Sequence, residues 1–192
     1  MKFVLVHHGA LEEDPLGQAA AGHEDPPLSQ AGLLQARAVA EELRTLGQRG
    51  ERHAFFLTSP LRAPQMAAAL IASTLELAPP QLREELTTLT PEVVPANDGL
   101  EAIAAIQERA WSVIEVLKQT QEQDATLVLV THDLTIRALV CRALSLPLTE
   151  MRRFALDAGS LTTIDYRTQP RERTLIASLN ETCHLEGVGE ST

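Results

Sequence analysis

The amino-acid sequence predicts an α/β domain in which a mostly parallel sheet carries helices on both faces. Short runs of aliphatic and β-branched residues alternate with longer segments that have apolar residues at helical spacing, the pattern of strand–helix units. The hydrophobic fraction of 44% and the charged fraction of 22% are typical of a globular protein. A length of 192 residues suits a single buried core.

Two strand–helix units are predicted in the first half of the chain. Ser29 is a favourable cap for the first helix, whose apolar positions recur at helical spacing. Ser59 and Pro60 form a start signal for the second helix, with serine at the cap and proline at the first helical position. The expected strands are 2–6 and 54–58, and the expected helices are 29–46 and 59–75.

The second half of the chain continues the alternation. Asp98 and Glu101 resemble a capping box before a long amphipathic helix, and Asp133 is placed to cap the helix that runs to about Leu144. The expected strands are a short one between 79 and 95, a central one at 126–131, and two at 160–166 and 174–179 that complete or edge the sheet. We expect one domain over residues 1–180 and a frayed tail over 181–192.

Composition narrows the possible functions. The formal net charge of −10 opposes binding to nucleic acids and anionic membranes. A local group of cations can still hold one phosphate, because screening limits the reach of remote charges to roughly 10 Å. The opening apolar run is too short for a secretory signal, and two cysteines do not form a disulfide framework. We therefore expect a cytoplasmic protein that needs no cofactor and binds neither nucleic acid nor membrane.

Three polar residues are predicted to meet at one edge of the sheet. His8 follows the first strand, Arg62 lies in the first turn of the second helix, and His132 follows the central strand. Ligands of open α/β sheets bind outside the carboxyl ends of the strands. An unprotonated imidazole is a competent nucleophile, and a second imidazole can stabilise the charge on the phosphoryl group during transfer. An arginine near a helix N-terminus is well placed to bind a phosphate. The pattern therefore predicts phosphoryl transfer.

Four ordered segments resemble motifs of the histidine phosphatase (phosphoglycerate mutase-like) superfamily. The segment VLVHHGA, 4–10, resembles the Arg-His-Gly motif, with His8 and Gly9 matching and His7 in place of arginine. The family's Asp-x-Pro-Leu-Thr-x-x-Gly, Ser-Pro-Leu-x-Arg and second-histidine motifs are similar to DPPLSQAG at 25–32, TSPLRAPQMA at 58–67 and LVTHDLTIRALV at 129–140. The resemblance covers roughly residues 1 to 166 and implies a three-layer α/β/α sandwich.

The resemblance also implies roles for the matching residues. His8 would be phosphorylated transiently, and His132 would stabilise the transition state. Glu84, in a Leu-x-Glu pattern, would be the proton donor, with Glu85 as the alternative. The residues that would bind the phosphate are His7, Gly9 and Arg62.

Departures from the family pattern indicate which branch of the superfamily the chain resembles. His7 replaces an arginine, and an imidazole with an ordinary pKa near ~6.5 is mostly neutral at pH 7, so phosphate binding is expected to be weaker. Ala10 and Leu11 replace the Glu-Thr of mutase-like members, and 84–98 holds no long insertion. The chain is most similar to the short phosphohistidine phosphatases, which implies a small phosphorylated substrate or a phosphohistidine protein.

Two alternatives stay open from the sequence. Without the motif arginine, the domain could bind a phosphorylated ligand or a protein partner without efficient turnover. His7, His8 and His132 could instead bind a divalent metal, although the spacing lacks a helical His-x-x-x-His pair. Neither Arg137 nor Arg142 receives a role from the pattern, and His184 receives none. The oligomeric state is open.

Overall fold

A computed structural model describes residues 1–12, 25–48, 53–88, 99–169 and 171–188. The strands are β1 (Lys2–His7), β2 (His53–Thr58), β3 (Gln81–Leu82), β4 (Thr126–Thr131), β5 (Leu161–Arg167) and β6 (Arg173–Glu181). The α-helices are α1 (Gln30–Gln48), α2 (Arg62–Thr74), α3 (Leu100–Thr120) and α4 (Asp133–Ala143). Short 3₁₀ turns lie at Glu84–Leu86, Leu148–Arg153 and Cys183–Leu185.

The strands form one sheet in the order β3-β2-β4-β1-β5-β6. Strands β1 to β4 run parallel to one another, whereas β5 pairs antiparallel with β1 and β6 pairs antiparallel with β5 at one side of the sheet. The predicted α/β fold with a mostly parallel sheet is therefore confirmed. All six residues of β4 are buried, as expected for a central strand that is covered on both faces.

Alternating strand residues supply the two halves of the core. Phe3 and Leu5 of β1 face a cluster with α3 and α4, while Val4 and Val6 face a second cluster with α1 and α2. The period of two in a strand sends successive side chains to opposite faces, so each face needs its own apolar helix layer. Two helix layers and the sheet make the three-layer sandwich.

The first helix begins as predicted. The backbone N–H of Gly32 donates a hydrogen bond to Ser29 Oγ at 3.1 Å, and this is the capping contact expected of a serine at a helix start. The Ser29 hydroxyl also donates to the carbonyl oxygen of Ala10 at 3.1 Å. The cap therefore joins the start of α1 to the loop that follows β1.

Three other helix starts differ from the prediction. Helix α2 begins at Arg62 rather than at Pro60, and Pro64 falls in its first turn, where a missing N–H costs no helical hydrogen bond. Asp133 is the first residue of α4 and not its cap. Helix α3 follows Gly99, whose φ is 64°, without a side-chain cap among the described residues, and Asp98 lies outside them.

The end of the chain also departs from the prediction of a tail beginning at 181. Strand β6 runs through Glu181, and the following 3₁₀ turn packs back on the domain. His184 Nε2 donates a hydrogen bond to the carbonyl oxygen of Gly159 at 3.0 Å, and its Nδ1 pairs with Glu181 at 3.1 Å. Residues 189–192 lie outside the described part of the chain. In the described part, no helix combines the length and apolarity needed to cross a bilayer.

Candidate active site

The carboxyl ends of β1, β2 and β4 bring the two predicted catalytic histidines together. The N–H of His8 donates to the carbonyl oxygen of Thr131 at 3.1 Å, and the N–H of Ser59 donates to that of Val130 at 3.1 Å. These bonds continue the parallel ladder past the strand ends. The ring centroids of His8 and His132 are 5.0 Å apart, and those of His7 and His8 are 4.9 Å apart.

The imidazole of His8 is held by its own loop. Its Nδ1 lies 2.9 Å from the carbonyl oxygen of Gly9, which can only accept, so Nδ1 carries the proton. In the neutral ring, Nε2 is then the unprotonated nitrogen. Burial lowers the pKa of His8, while the Gly9 carbonyl and the charges of Asp133 and Asp25 oppose that shift. The ring is thus held in the form that can act as a nucleophile.

His132 lies at the N-cap position of α4, against a serine that follows β2. Its Nε2 is 3.1 Å from Ser59 Oγ, and that oxygen accepts a hydrogen bond from the N–H of Leu61 at 3.3 Å. The serine hydroxyl can donate to Nε2, and in that tautomer of the neutral ring Nδ1 is the protonated nitrogen. Burial, followed by the charges of His8 and His7, lowers the pKa of His132 to about 3.

His7, which stands where the resemblance expects arginine, is also turned into the fold. Its Nδ1 donates to the carbonyl oxygen of Asp157 at 2.9 Å. Burial and the neighbouring His8 lower the pKa of His7 to about 4, against the opposing effects of the Asp157 carbonyl and the Asp133 charge; Arg137 adds to the lowering. The pKa thus lies below the ordinary value near ~6.5 that the sequence suggested, so the ring carries no charge at neutral pH.

Glycine is required where the loop after β1, which carries His8, contacts α1. A Cβ built on Gly9 would lie 2.5 Å from the carbonyl oxygen of Gly32, and a Cβ on Gly32 would lie 2.1 Å from that of Ala10. Both distances are shorter than any normal contact, so the two backbones approach this closely only without side chains. Glycines of two separate motifs therefore fix the loop that carries His8.

Arg62 is the first residue of α2, and its side chain is exposed. Its backbone N–H donates to Asp25 Oδ2 at 2.6 Å, so a carboxylate from the 25–32 motif caps this helix. Within the described ranges, the Arg62 guanidinium has no hydrogen bond or ion pair. The guanidinium therefore remains available to an anion at this edge of the sheet.

The two candidate proton donors lie on the 3₁₀ turn that follows β3. The N–H of Arg83 donates to the carbonyl oxygen of Thr58 at 2.8 Å, and Thr131 Oγ1 donates to that of Leu86 at 2.6 Å. These contacts attach the turn to the ends of β2 and β4, beside the histidines. Glu84 is exposed and Glu85 is half-buried. The choice between them stays a prediction.

Two features of the site could not be read from sequence motifs. The N–H of Gly159 lies 3.1 Å from the carbonyl oxygen of His7 and 3.2 Å from that of His8, so the loop before β5 holds the backbone of both histidines. A turn around 157–160 could be suspected from its aspartate and glycine. Nothing local in the sequence indicates that this turn, or the Ser59 hydroxyl, contacts a histidine 70 or more residues away.

The described side chains around the histidines do not form a group of metal ligands. Among residues 1–12, 25–48, 53–88, 99–169 and 171–188, no group of three or more His, Cys, Asp or Glu side chains is arranged to hold a metal ion. The three imidazoles stand edge to face, and each has one ring nitrogen committed to a protein oxygen. The geometry instead suits a nitrogen nucleophile flanked by polar groups.

Known proteins match this chain over nearly its whole length. A family model described as histidine phosphatase superfamily (branch 1) matches residues 3–91 and 88–180. Phosphoserine phosphatase 1 of Hydrogenobacter thermophilus is 28% identical over an alignment of 209 positions, which covers 96% of this chain and 94% of that protein. A probable phosphoglycerate mutase of Yersinia pestis is 27% identical and covers 97% of this chain and 95% of its own length.

A solved structure shows the same fold. Phosphoserine phosphatase from Entamoeba histolytica, in complex with 3-phosphoglyceric acid, matches with a TM-score of 0.75 at 21% identity, over 96% of this chain and 98% of that chain. Its sheet and helix layers thus agree with those described above. The family match, the ordered motifs and the paired histidines lead to one assignment. The chain belongs to the histidine phosphatase superfamily, and it is an enzyme of the phosphatase class.

Proposed function

We propose that the protein hydrolyses small phosphomonoesters through a phosphohistidine formed on Nε2 of His8. The observation that carries this proposal is the bond from Nδ1 of His8 to the carbonyl of Gly9, at 2.9 Å. It commits the proton to Nδ1, while the lowered pKa keeps the ring neutral. Nε2 then holds the lone pair that a nucleophile needs, and no general base has to remove a proton first.

The proposed reaction has two steps. In the first, Nε2 of His8 attacks phosphorus, the P–O bond to the leaving group breaks, and the carboxyl of Glu84, or of Glu85, gives its proton to the departing oxygen. In the second, water attacks the phosphorus, the N–P bond breaks, and the carboxylate takes up the proton of the water. Inorganic phosphate leaves, and both His8 and the carboxyl return to their starting forms.

The residues proposed to hold the phosphoryl group surround His8. Nδ1–H of His132 can donate to a phosphate oxygen, because Nε2 is bonded to Ser59. The guanidinium of Arg62, which has no partner in the described part of the chain, can form a two-pronged contact. Gly9 permits close approach of backbone to ligand. His7 contributes only when a bound phosphate makes its protonation favourable.

The relatives support a proposal for the substrate class. The names of the matching proteins specify phosphoserine and phosphoglycerate chemistry. We therefore propose a small phosphorylated metabolite as the substrate and place a phosphohistidine protein second. A binding domain without turnover is the alternative function, and the neutral His7 in place of arginine is the observation that favours it.

The test is hydrolysis of an aryl phosphate by wild-type protein and by His8→Ala, in buffer containing a chelator. We expect wild-type turnover that survives the chelator and a loss of about a thousandfold or more in His8→Ala. The wild type should also form an acid-labile, alkali-stable phosphoryl group on the peptide that contains His8, visible by mass spectrometry after rapid quenching. Arg142→Ala, on the exposed side of α4, is the control for folding.

Each other outcome has a definite meaning. Activity that disappears with the chelator would contradict the metal-free mechanism. Activity retained by His8→Ala would place the nucleophile elsewhere. Phosphate binding without turnover of aryl or alkyl esters would identify the chain as a binding domain.

A further inference from the structure

His184 has a buried side chain and takes no part in the proposed reaction. It lies on the 3₁₀ turn Cys183–Leu185 after β6, and only 3% of its side chain is exposed. Its Nε2–H donates a hydrogen bond to the carbonyl oxygen of Gly159 at 3.0 Å, and its Nδ1 lies 3.1 Å from Glu181 Oε2. A shielded polar side chain with both ring nitrogens engaged holds the groups that it contacts in place.

Gly159 connects this histidine to the active site. Its N–H lies 3.1 Å from the carbonyl oxygen of His7 and 3.2 Å from that of His8, while its own carbonyl accepts from His184. Its φ of 79° lies in the left-handed region, which glycine adopts without strain. A single residue therefore joins the C-terminal turn to the backbone of both active-site histidines.

The loop before β5, residues 157–160, contacts three polar groups of His7. The N–H of His7 donates to the carbonyl oxygen of Ser160 at 3.1 Å, and His7 Nδ1 donates to that of Asp157 at 2.9 Å. The third contact is the bond from the N–H of Gly159 to the carbonyl of His7, and the carbonyl of His8 faces the same N–H. The loop therefore fixes the backbone from which the proposed nucleophile projects.

A second anchor of this loop lies at the surface. The N–H of Asp157 donates to Asn180 Oδ1 at 2.7 Å, and Asn180 Nδ2 donates to Asp157 Oδ2 at 2.8 Å, but Asp157 is exposed. Water competes with exposed hydrogen bonds, whereas breaking the bond to His184 leaves the carbonyl of the buried Gly159 without this donor. His184 is therefore the stronger of these two anchors.

We propose that His184 is a positioning residue for the active site, and that its hydrogen bond to Gly159 fixes the loop that holds the backbone of His7 and His8. Glu181 in turn orients the imidazole of His184 through Nδ1. His184 acts through Gly159 and is not itself a catalytic residue. The inference rests on the proposed function for the role of His8, but the placement of the loop is measurable without turnover.

The experiment compares two amide substitutions that each keep one contact of His184. His184→Gln places an amide near the position of Nε2 and can still donate to Gly159, whereas the shorter side chain of His184→Asn reaches only Glu181. We expect kcat/KM for an aryl phosphate to fall by about tenfold in His184→Asn, because a displaced nucleophile attacks more slowly. In His184→Gln the loss should stay below about threefold. His184→Leu, which fills similar space without a donor, should behave as His184→Asn and replaces it if that variant does not fold.

Amide hydrogen exchange, followed by nuclear magnetic resonance, measures the loop directly. The N–H of Gly159 should exchange about tenfold faster in His184→Asn than in the wild type and near the wild-type rate in His184→Gln, since loss of the anchor lets the loop open locally. The N–H of Val128, in the buried strand β4, is the internal reference. Local opening accelerates exchange at Gly159 more than at Val128, whereas general destabilisation accelerates both equally.

Ile176→Ala is the matched control for stability. Ile176 lies on β6, the strand that leads to His184, and packs against the core cluster with α3 and α4. The substitution removes packed volume and lowers stability, but it leaves the side chains that contact Gly159 unchanged. Its kcat/KM should stay within about twofold of the wild type.

The outcomes separate this inference from the proposed function. A folded His184→Asn or His184→Leu with wild-type kcat/KM and wild-type exchange at Gly159 would overturn the role of His184. Equal losses in His184→Asn and His184→Gln, or equal acceleration of exchange at Gly159 and Val128, would overturn it as well. If the wild type hydrolyses no ester while exchange at Gly159 separates the variants as expected, the proposed function fails and the positioning of the loop by His184 stands.

Discussion

At the scale of single residues, the site is defined by which nitrogen of each imidazole carries the proton. Backbone carbonyls accept from Nδ1 of His7 and of His8, whereas a hydroxyl faces Nε2 of His132. Burial lowers the pKa of all three rings. In the proposed reaction, neutral imidazoles favour nucleophilic attack by His8 but leave the charge of the phosphate to be balanced by an arginine such as Arg62.

The choice between Glu84 and Glu85 as the proton donor is a prediction at this scale. If Glu84 is the proton donor, Glu84→Gln should lower kcat/KM for an alkyl phosphate by about a hundredfold or more, because an alkoxide leaves poorly without a proton. For a nitrophenyl phosphate, whose leaving group needs no proton, the loss should be below about tenfold. Steady-state kinetics with both substrates measure the two losses.

Glu85→Gln is the matched variant for this experiment. If Glu85 only lines the site, this substitution should lower kcat/KM for both substrates by the same modest factor. A strong loss confined to the alkyl phosphate in Glu85→Gln, with Glu84→Gln close to wild type, would assign the proton donor to Glu85 instead.

At the scale of secondary-structure elements, function depends on how closely the loop after β1 approaches the start of α1. Gly9, Ala10, Ser29 and Gly32 meet there through backbone contacts and the serine cap. Gln35 of the same helix accepts from the N–H of Ala10 at 2.8 Å. Helix α1 thus holds the loop that carries His8, the proposed nucleophile.

Gly32→Ala tests this contact. The added methyl group would meet the Ala10 carbonyl oxygen at 2.1 Å, so the loop or the helix must shift. We expect a loss of about 1–3 kcal/mol in the free energy of unfolding, which is the usual cost of overpacking. Because the loop carries His8, kcat should fall as well; urea unfolding and aryl phosphate kinetics measure the two effects.

Gln30→Ala, at an exposed position in the same first turn, is the control and should leave both quantities nearly unchanged. Wild-type stability in Gly32→Ala would mean that the two backbones do not approach as closely as described.

At the scale of the whole molecule, burial of three histidines makes folding sensitive to pH. In the unfolded chain each imidazole has a pKa near 6.5, whereas folding lowers that of His7 to about 4 and that of His132 to about 3. Below pH ~6.5 the unfolded state therefore binds protons that the folded state excludes. The stabilisation is complete above the unfolded pKa and is lost as pH falls towards the folded values.

We expect the free energy of unfolding to fall by about 1.4 kcal/mol per pH unit for each such histidine between about pH 6.5 and 4. Protonation of His7 is opposed by His8 and Arg137 and favoured by Asp133 and the Asp157 carbonyl. Urea unfolding at several pH values measures the slope. His7→Gln, which does not titrate, should have a smaller slope; parallel profiles would show that His7 is not buried in neutral form.

The sequence by itself determined the α/β class, the central strand at Thr126–Thr131 and the positions of His8 and His132 after parallel strands. These follow from local hydrophobic period and from motifs, which need no knowledge of distant contacts. Helix starts were less predictable, because Asp25, a residue distant in sequence, caps α2 in place of Ser59.

Only the tertiary structure decided which nitrogen of His7 and of His8 carries the proton, and the direction in which the pKa of each histidine shifts. The loop that contains Asp157 and Gly159 reaches His7 and His8 across some 150 residues of chain. Desolvation and charge coupling depend on distance in space and on burial, which sequence spacing does not encode. The motifs therefore locate the reacting atoms, whereas the fold sets their protonation and charge.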